Sequence, residues 1–235
     1  MAKTDKKPPP PAPDDLRTRE QEQFFEEVSE ELKQDRYAAI WKKYGRYFVA
    51  LAVVAVLGVA GYQYWQGEQR KARETASERL AAALALARDG KVKEATTAFD
   101  GLAQSGPKGY AQLARLQHAA QLLKSGDRAG AVLVFEQLAN DSDADPLFRD
   151  VALVQWAYFA LDDADPAMML ERLKPVTAKD HPWRHMALEL SALYSERAGR
   201  RADAIQILTD LEKDKDAPQG VRGRAKELLA ILGKS

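Results

Sequence analysis

Residues 126–138, GDRAGAVLVFEQL, contain a glycine that is followed at fixed distances by one small and two bulky apolar residues. Counting from Gly126, the fifth residue is Ala131, the ninth is Phe135 and the twelfth is Leu138. Apolar residues at this spacing after a glycine predict a turn and then a helix that buries one face. The small residue lets a neighbouring helix approach closely, and the large residue fills the space beside it.

The same pattern occurs four times, which predicts a repeat protein. The anchor positions lie 36, 38 and 35 residues apart, at Gly90, Gly126, Ala164 and Gly199. Small or bulky apolar residues recur seven positions before each anchor and five, nine and twelve after it: Ala83, Ala119, Ala157 and Ala192; Ala95, Ala131, Met169 and Ala204; Phe99, Phe135, Leu173 and Leu208; Leu102, Leu138, Val176 and Leu211. Each unit is therefore expected to be a helix, a tight turn and a second helix.

No stretch after residue 65 alternates apolar and polar residues for long enough to predict a strand, so the fold class is all-α. Prolines recur where each first helix would begin, at Pro107, Pro146, Pro182 and Pro218. The units resemble degenerate tetratricopeptide repeats. Four of them would form an α-solenoid over residues 66–217, covered by a capping helix at 218–235.

Composition excludes several functional classes. The 235 residues include 35 Lys+Arg, 35 Asp+Glu, three His and no Cys. Disulfides, a thiolate nucleophile and cysteine-bound zinc are therefore excluded. Because the net charge is zero, no global field attracts nucleic acid, and none is predicted as a partner.

A long apolar stretch before the repeats predicts a transmembrane helix at residues 47–65. No charged residue lies between Arg46 and Glu68. At about 1.5 Å per residue this stretch extends roughly 28 Å, close to the thickness of a hydrocarbon core. Rings that favour the membrane interface lie at its two ends: Tyr44, Tyr47, Tyr62, Tyr64 and Trp65. The alternatives are a buried core helix and a cleaved signal peptide, which would not follow so long an N-terminal segment.

The flanking charges favour a cytoplasmic N-terminus. Within fifteen residues, the basic residues before the span are Lys33, Arg36, Lys42, Lys43 and Arg46, and those after it are Arg70, Lys71, Arg73 and Arg79. By the positive-inside tendency, this small excess predicts that the residues after 66 lie across the membrane.

The residues before the span divide into two segments. Residues 1–15 are proline-rich and nearly free of apolar residues, which predicts a disordered tail. Residues 16–46 carry a stripe of apolar residues at helical spacing, an acidic run and then a basic one. This pattern predicts an amphipathic juxtamembrane helix, either solvated or docked on a protein partner or on lipid headgroups.

Motifs of catalytic sites are absent from the sequence. The phosphate-binding, dinucleotide-binding, zinc-protease and nucleophile-elbow patterns do not occur. Asp141 begins a segment like a calcium loop, but Pro146 and Ala152 stand where glycine and glutamate are needed, so Asp145 is predicted to cap a helix instead. His181, His185 and Glu189 are spaced for one helix face, but His181 precedes a proline and points away from it. No metal, cofactor or catalytic residue is predicted.

The first helices of the repeats carry apolar stripes. In any solenoid such a stripe packs against the second helices, and in tetratricopeptide superhelices part of it lines a concave groove that accepts an apolar peptide or short helix. Both interpretations remain open at this point. Aromatic residues and arginine are common at binding hot spots, so the candidate partner-binding residues are Tyr110, Trp156, Tyr158, Trp183, Arg184 and Tyr194.

Four motifs in a fixed order carry a family resemblance. They are Glu-Val-Ser-Glu-Glu-Leu at 27–32, Trp-Lys-Lys-Tyr-Gly at 41–45, Gly-Tyr-Gln-Tyr-Trp at 61–65 and Pro-Trp-Arg-His at 182–185. Together they resemble the YfgM-type (TPR-21) family of bacterial inner-membrane proteins over residues 24–232. The resemblance implies a single-pass anchor and a periplasmic helical domain associated with the SecYEG translocon and periplasmic chaperones. It supplies no catalytic residue.

The sequence therefore predicts a non-enzymatic, membrane-anchored scaffold. Its predicted partners are proteins: SecYEG, periplasmic chaperones or nascent envelope proteins, with no small-molecule substrate. One alternative is a scaffold for another cell-envelope assembly or division complex. A metal-dependent hydrolase, the alternative from a different class, would need His181, His185 and Glu189 to bind zinc together.

Overall fold

A computed structural model describes residues 13–233, with side chains from Trp41 onward. Within that range the chain is helical and has no strand, which confirms the all-α prediction. The helices are α1 (Pro13–Arg88), α2 (Val92–Ser105), α3 (Lys108–Lys124), α4 (Arg128–Ala139), α5 (Pro146–Phe159), α6 (Pro166–Leu173), α7 (Arg184–Arg197), α8 (Arg201–Lys213) and α9 (Gln219–Leu232). A single 3₁₀ turn, Lys174–Thr177, follows α6.

Parts of the predictions for the two ends of the chain lie outside the described residues. These are residues 1–12 of the predicted tail, the side chains of the predicted juxtamembrane helix up to residue 40, and the last two residues of the predicted capping helix. The backbone of α1 continues without a break from Pro13 to Arg88, so the predicted juxtamembrane helix and span belong to one helix.

The segment Trp41–Arg88 of α1 is long and apolar enough to cross a membrane, and the side chains of its most apolar part are not buried by protein. Large apolar residues are exposed all around this part of the helix, from Phe48 to Val59. Since a buried core helix would be covered, the structure disfavours that alternative.

From Glu68 onward the chain forms a second compact unit, in which successive helices pack on one another. Every residue at the four repeat offsets given above is buried, none more than 4% exposed. The largest apolar cluster joins α3 to α7, around Phe135, Trp156 and Leu173. Burial at these positions is what the small-and-bulky pattern requires, and it places the first helices of successive pairs side by side.

Two kinds of turn join the helices of a pair. Gly90, Gly126 and Gly199 have φ values of 75°, 87° and 72°, a conformation that costs other residues energy. The turn between α5 and α6 has no such glycine, and two arginines contact its carbonyls instead. Arg128 Nε donates to Phe159 O at 2.7 Å, and Arg197 donates to the carbonyls of residues 161, 162 and 164.

The start of α5 follows the predicted capping. The Asp145 carboxylate accepts from the Leu147 N–H at 2.9 Å, which confirms its predicted role as N-cap of α5, and Pro146 occupies the first turn. Asp127 and Asp165 cap α4 and α6 in the same way. The second helix of the third pair is shorter than the others because Pro175 cannot continue an α-helix.

Candidate functional site

A groove lies where the first helices α5, α7 and α9 meet. It encloses a cavity of about 340 Å³ lined by Tyr158, Met186, Glu189, Leu190, Leu193 and Arg224. α5 and α9 each contact α7, so the walls are supplied by three alternate helices of the solenoid. Most of the lining is apolar, and the two charged residues pair with each other. We call this surface the α5–α7–α9 groove.

Tyr158 is the large aromatic residue of the groove. It is 59% exposed, although its neighbours Trp156 and Ala157 are buried. Its ring stands edge-on to that of Phe159, with centroids 5.0 Å apart and an interplanar angle of 89°. Phe159 in turn stacks on Phe135 of α4 at 6.0 Å. The edge-to-face geometry of Tyr158 and Phe159 is one of the arrangements that aromatic pairs favour.

Glu189 and Arg224 form a bidentate ion pair between α7 and α9. Arg224 Nε and Nη2 donate to the two carboxylate oxygens of Glu189, each at 2.6 Å. Glu189 is buried while the Arg224 side chain is half exposed. The hydrogen bond with Glu189, opposed by partial burial, holds the pKa of Arg224 above its ordinary value. Arg224 therefore remains charged, and its guanidinium stays paired with the Glu189 carboxylate.

The groove is suited to an apolar side chain of a protein partner. Met186 is 37% exposed, and its flexible thioether adapts to differently shaped side chains. Leu190 and Leu193 supply aliphatic wall. Arg224 Nη1 carries two further N–H donors for a partner's carbonyl groups. Nothing among the lining residues resembles a nucleophile beside a base.

The structure brings only one predicted partner-binding residue, Tyr158, into the groove. Tyr110 is partly buried against the cluster around Ala76 and Leu102. Trp156 is buried and lies near the Arg172 guanidinium, 5.8 Å from the ring centroid. Tyr194 is fully buried and donates to Ala157 O at 2.7 Å. Burial raises the pKa of Tyr194 to about 12, which keeps it a neutral donor.

Trp183 and Arg184 lie together at the start of α7. Trp183 packs against the main apolar cluster, and its indole Nε1 is buried without a hydrogen-bond partner among the described residues. Arg184 Nη1 donates to Asp214 Oδ2 at 2.6 Å, which ties α7 to the loop after α8. That hydrogen bond lowers the pKa of Asp214 to about 2. Both residues thus make internal contacts within the solenoid.

The three residues that a zinc hydrolase would need have separate partners. His181 Nε2 lies 3.1 Å from Asp150, His185 Nε2 lies 3.3 Å from Asp214, and Glu189 binds Arg224. Across residues 41–233 no three His, Cys, Asp or Glu side chains are grouped to hold a metal ion. Asp141, the first residue of the calcium-like segment, binds Arg115 Nη1 at 2.6 Å.

The predicted partner-binding residues, which are aromatic residues and one arginine, do not include most of the groove residues. Met186, Leu190 and Leu193 are spaced i, i+4 and i+7, so they form one stripe of α7. That stripe was available in the sequence. Arg224 lies 35 residues beyond its partner Glu189, and no local pattern connects them.

The predicted membrane-interface residues are all exposed: Tyr44, Tyr47, Tyr62, Tyr64 and Trp65. At one end, Lys43 Nζ lies 5.3 Å from the Tyr44 ring centroid. At the other, the Tyr62 and Trp65 rings are 6.3 Å apart. Exposed rings with polar tips suit the boundary between lipid and water.

Comparison with known proteins identifies one family. The model of the tetratricopeptide repeat-like domain matches residues 38–206, more than half of the chain. No curated protein and no solved structure matches this chain. The match begins just before the apolar stretch and ends within α8, so it includes the candidate span, helices α2 to α7 and the first part of α8. With its glycine turns and its buried small and bulky residues, the chain belongs to the tetratricopeptide repeat-like domain family.

Proposed function

We propose that the protein is a membrane-anchored scaffold that binds a protein partner through the α5–α7–α9 groove. Tetratricopeptide repeat-like domains support protein–protein interaction, and the family is typically non-catalytic. The observation that carries the proposal is the groove itself, in which Tyr158 and Met186 remain exposed while the residues of the repeat pattern are buried. An exposed aromatic ring and an adaptable methionine in one groove form a surface suited to recognition.

The proposed location is the bacterial inner membrane, with one crossing by α1, a cytoplasmic N-terminus and periplasmic repeats. Two observations support it. The apolar stretch is long enough to cross and its side chains are exposed. The basic residues Lys42, Lys43 and Arg46 lie directly before the stretch, as expected of the cytoplasmic side.

The proposed partners are the SecYEG translocon, periplasmic chaperones or emerging envelope proteins. The resemblance of the motifs at 27–32, 41–45, 61–65 and 182–185 to the YfgM-type family supports this assignment. If the repeats are periplasmic, the groove is in the same compartment as such clients.

The experiment is purification of the full-length protein from membranes in mild detergent, comparing variants of matched exposure. Met186 in the groove and Met168 on α6 are each 37% exposed. We expect Met186→Glu to lose its co-purifying partner, because a charge in the groove must be desolvated, and Met168→Glu to keep it. Melting curves of both variants check that each one is folded.

If both variants retain the same partners, the groove is not the binding site. If SecYEG and chaperones are missing from wild-type preparations while other envelope proteins are retained, the translocon assignment is wrong and the scaffold assignment stands.

A periplasm-active reporter fused after Ser235 tests the orientation of the protein in the membrane. An inactive reporter would mean that the repeats lie on the cytoplasmic side.

A further inference from the structure

The residues just before the apolar stretch form a one-sided basic surface. Lys42, Lys43 and Arg46 are all exposed on α1. At about 100° per residue, these three positions fall within an arc of about 100° around the helix. Their charges therefore point to the same side. We call these three residues the basic face.

No acidic residue lies within six residues of the basic face on either side. The sequence contains no Asp or Glu from residue 36 to residue 67. The other end of the apolar stretch differs, because Glu68 and Lys71 form an ion pair at 3.3 Å and acidic and basic residues are interleaved there. The two ends of the apolar stretch thus present different charge to their surroundings.

Neighbouring rings position the cations. Arg46 Nη2 donates to the Tyr47 hydroxyl at 3.0 Å, and the guanidinium lies 4.8 Å from the Tyr47 ring centroid. Lys43 is similarly placed over Tyr44. A guanidinium has five N–H donors in a planar fork that matches a phosphate. The hydrogen bond to Tyr47 uses one of these donors and leaves the others available for a phosphate.

Trp41 and Gly45 place an indole beside the basic face. The Trp41 ring lies against Gly45, where a Cβ atom would approach it to 3.3 Å. Glycine at this position therefore lets the ring lie along the helix. Trp41 is nevertheless exposed, and an exposed indole prefers the headgroup region of a bilayer.

From these observations we infer that the segment Trp41–Tyr47 binds the headgroups of anionic phospholipids through the basic face. The inference rests on the proposed membrane anchor. The apolar stretch begins at Tyr47, so the three cations lie within about 8 Å of it along the helix, at the depth of lipid phosphates. Anionic lipid attracts each such cation, and the attraction falls off within a Debye length.

The test uses the full chain, reconstituted in vesicles that contain phosphatidylcholine and phosphatidylglycerol. Since the protein has no cysteine, a single introduced cysteine can carry one fluorophore at an exposed site. Phe48→Cys places it near the N-terminal end of the stretch, and Tyr64→Cys places it near the C-terminal end. The quencher is phosphatidylglycerol or phosphatidylcholine with a nitroxide near the headgroup. We expect the probe at 48 to prefer phosphatidylglycerol about fivefold or more, the factor expected of a single basic side chain near an anionic surface. The probe at 64 should show no such preference.

Charge removal identifies the residues responsible. The combined variant Lys42→Gln, Lys43→Gln and Arg46→Gln should lose the preference at position 48. The matched variant Arg70→Gln, Lys71→Gln and Arg73→Gln removes the same number of charges beyond the other end and should keep it. Equal quenching by both lipids at position 48, or a preference that persists in the first variant, would overturn the inference. Absence of quenching at both positions by both lipids would instead overturn the membrane anchor together with the inference.

Discussion

The apolar residues of the α1 stretch and those of the repeats are similar in type and opposite in exposure. Phe48 is 57% exposed, whereas Phe99, on the first helix after α1, is fully buried. In the repeats, apolar residues recur at fixed offsets and cover one face of each helix, so helices cover one another. In the stretch they surround the helix, and none of the described residues covers them. The difference shows that the described part of the chain leaves the stretch uncovered, whereas the repeats cover their own apolar residues.

Charged residues within the stretch should give the largest effect. Val54→Arg with Leu57→Arg places two arginines in the middle of the exposed apolar segment. At roughly 2.5 to 3.5 kcal/mol for each, insertion should become unfavourable by about 5 kcal/mol or more. Alkaline extraction of membranes should then release the double variant and retain wild type. Tyr64→Arg, at the interface, is the control and should stay in the membrane pellet.

The same substitution at two phenylalanines tests the comparison itself. Phe99→Ala removes a fully buried ring that packs with Ala83 and Ala95, and we expect a loss of about 3 to 5 kcal/mol in the free energy of unfolding. Phe48→Ala should leave the unfolding of the repeats unchanged. Denaturant unfolding of the full chain in detergent, followed by circular dichroism, measures both. Equal destabilisation by the two variants would contradict the assignment of these residues to different environments.

The glycine turns predict effects of opposite sign for one kind of substitution. Gly126→Ala forces alanine into a positive φ and should cost about 1 to 2 kcal/mol of stability. Gly101→Ala, within α2 and with open space around its Cβ position, should stabilise by about 0.5 to 1 kcal/mol. Melting temperatures of the two variants should move in opposite directions from wild type, and movement in the same direction would refute the assigned role of the turn.

The smallest expected effect is the pH dependence of the contact between Arg184 and Asp214. Asp214 has a pKa of about 2, below its ordinary 3.8, because Arg184 donates to it; His185 is also within 3.3 Å. A lowered pKa stabilises the folded state above the ordinary value, and that stabilisation is lost as the pH falls towards 2. The stability difference between wild type and Arg184→Gln should therefore shrink between about pH 4 and pH 2. Arg200→Gln, which removes an equal charge, should show no such change in thermal melting.

Local pattern was sufficient for the repeats and insufficient for the groove. The offsets from Gly90, Gly126, Ala164 and Gly199 identified buried residues even in the third unit, because helix packing depends on side-chain size at fixed spacing. The replacement for its missing glycine could not be predicted, since Arg128 and Arg197 come from neighbouring pairs.

The candidate binding residues show the same limit. Ring size alone suggested Trp156 and Tyr194, whose rings are buried in the solenoid. Exposure distinguishes Tyr158 from them, and exposure depends on how α5, α7 and α9 pack. The ion pair of Glu189 with Arg224 likewise depends on contact between α7 and α9.

Photo-crosslinking in intact cells tests whether the membrane-anchored repeat domain binds its partner through the groove. A photoreactive amino acid is placed at Tyr158 in the groove or at Leu147 near the other end of α5, residues that are 59% and 56% exposed. We expect discrete adducts to an envelope protein from position 158, and we expect those adducts to be absent from position 147. No adduct at position 158 with the protein expressed in the membrane, or the same adducts from both positions, would contradict binding through the groove.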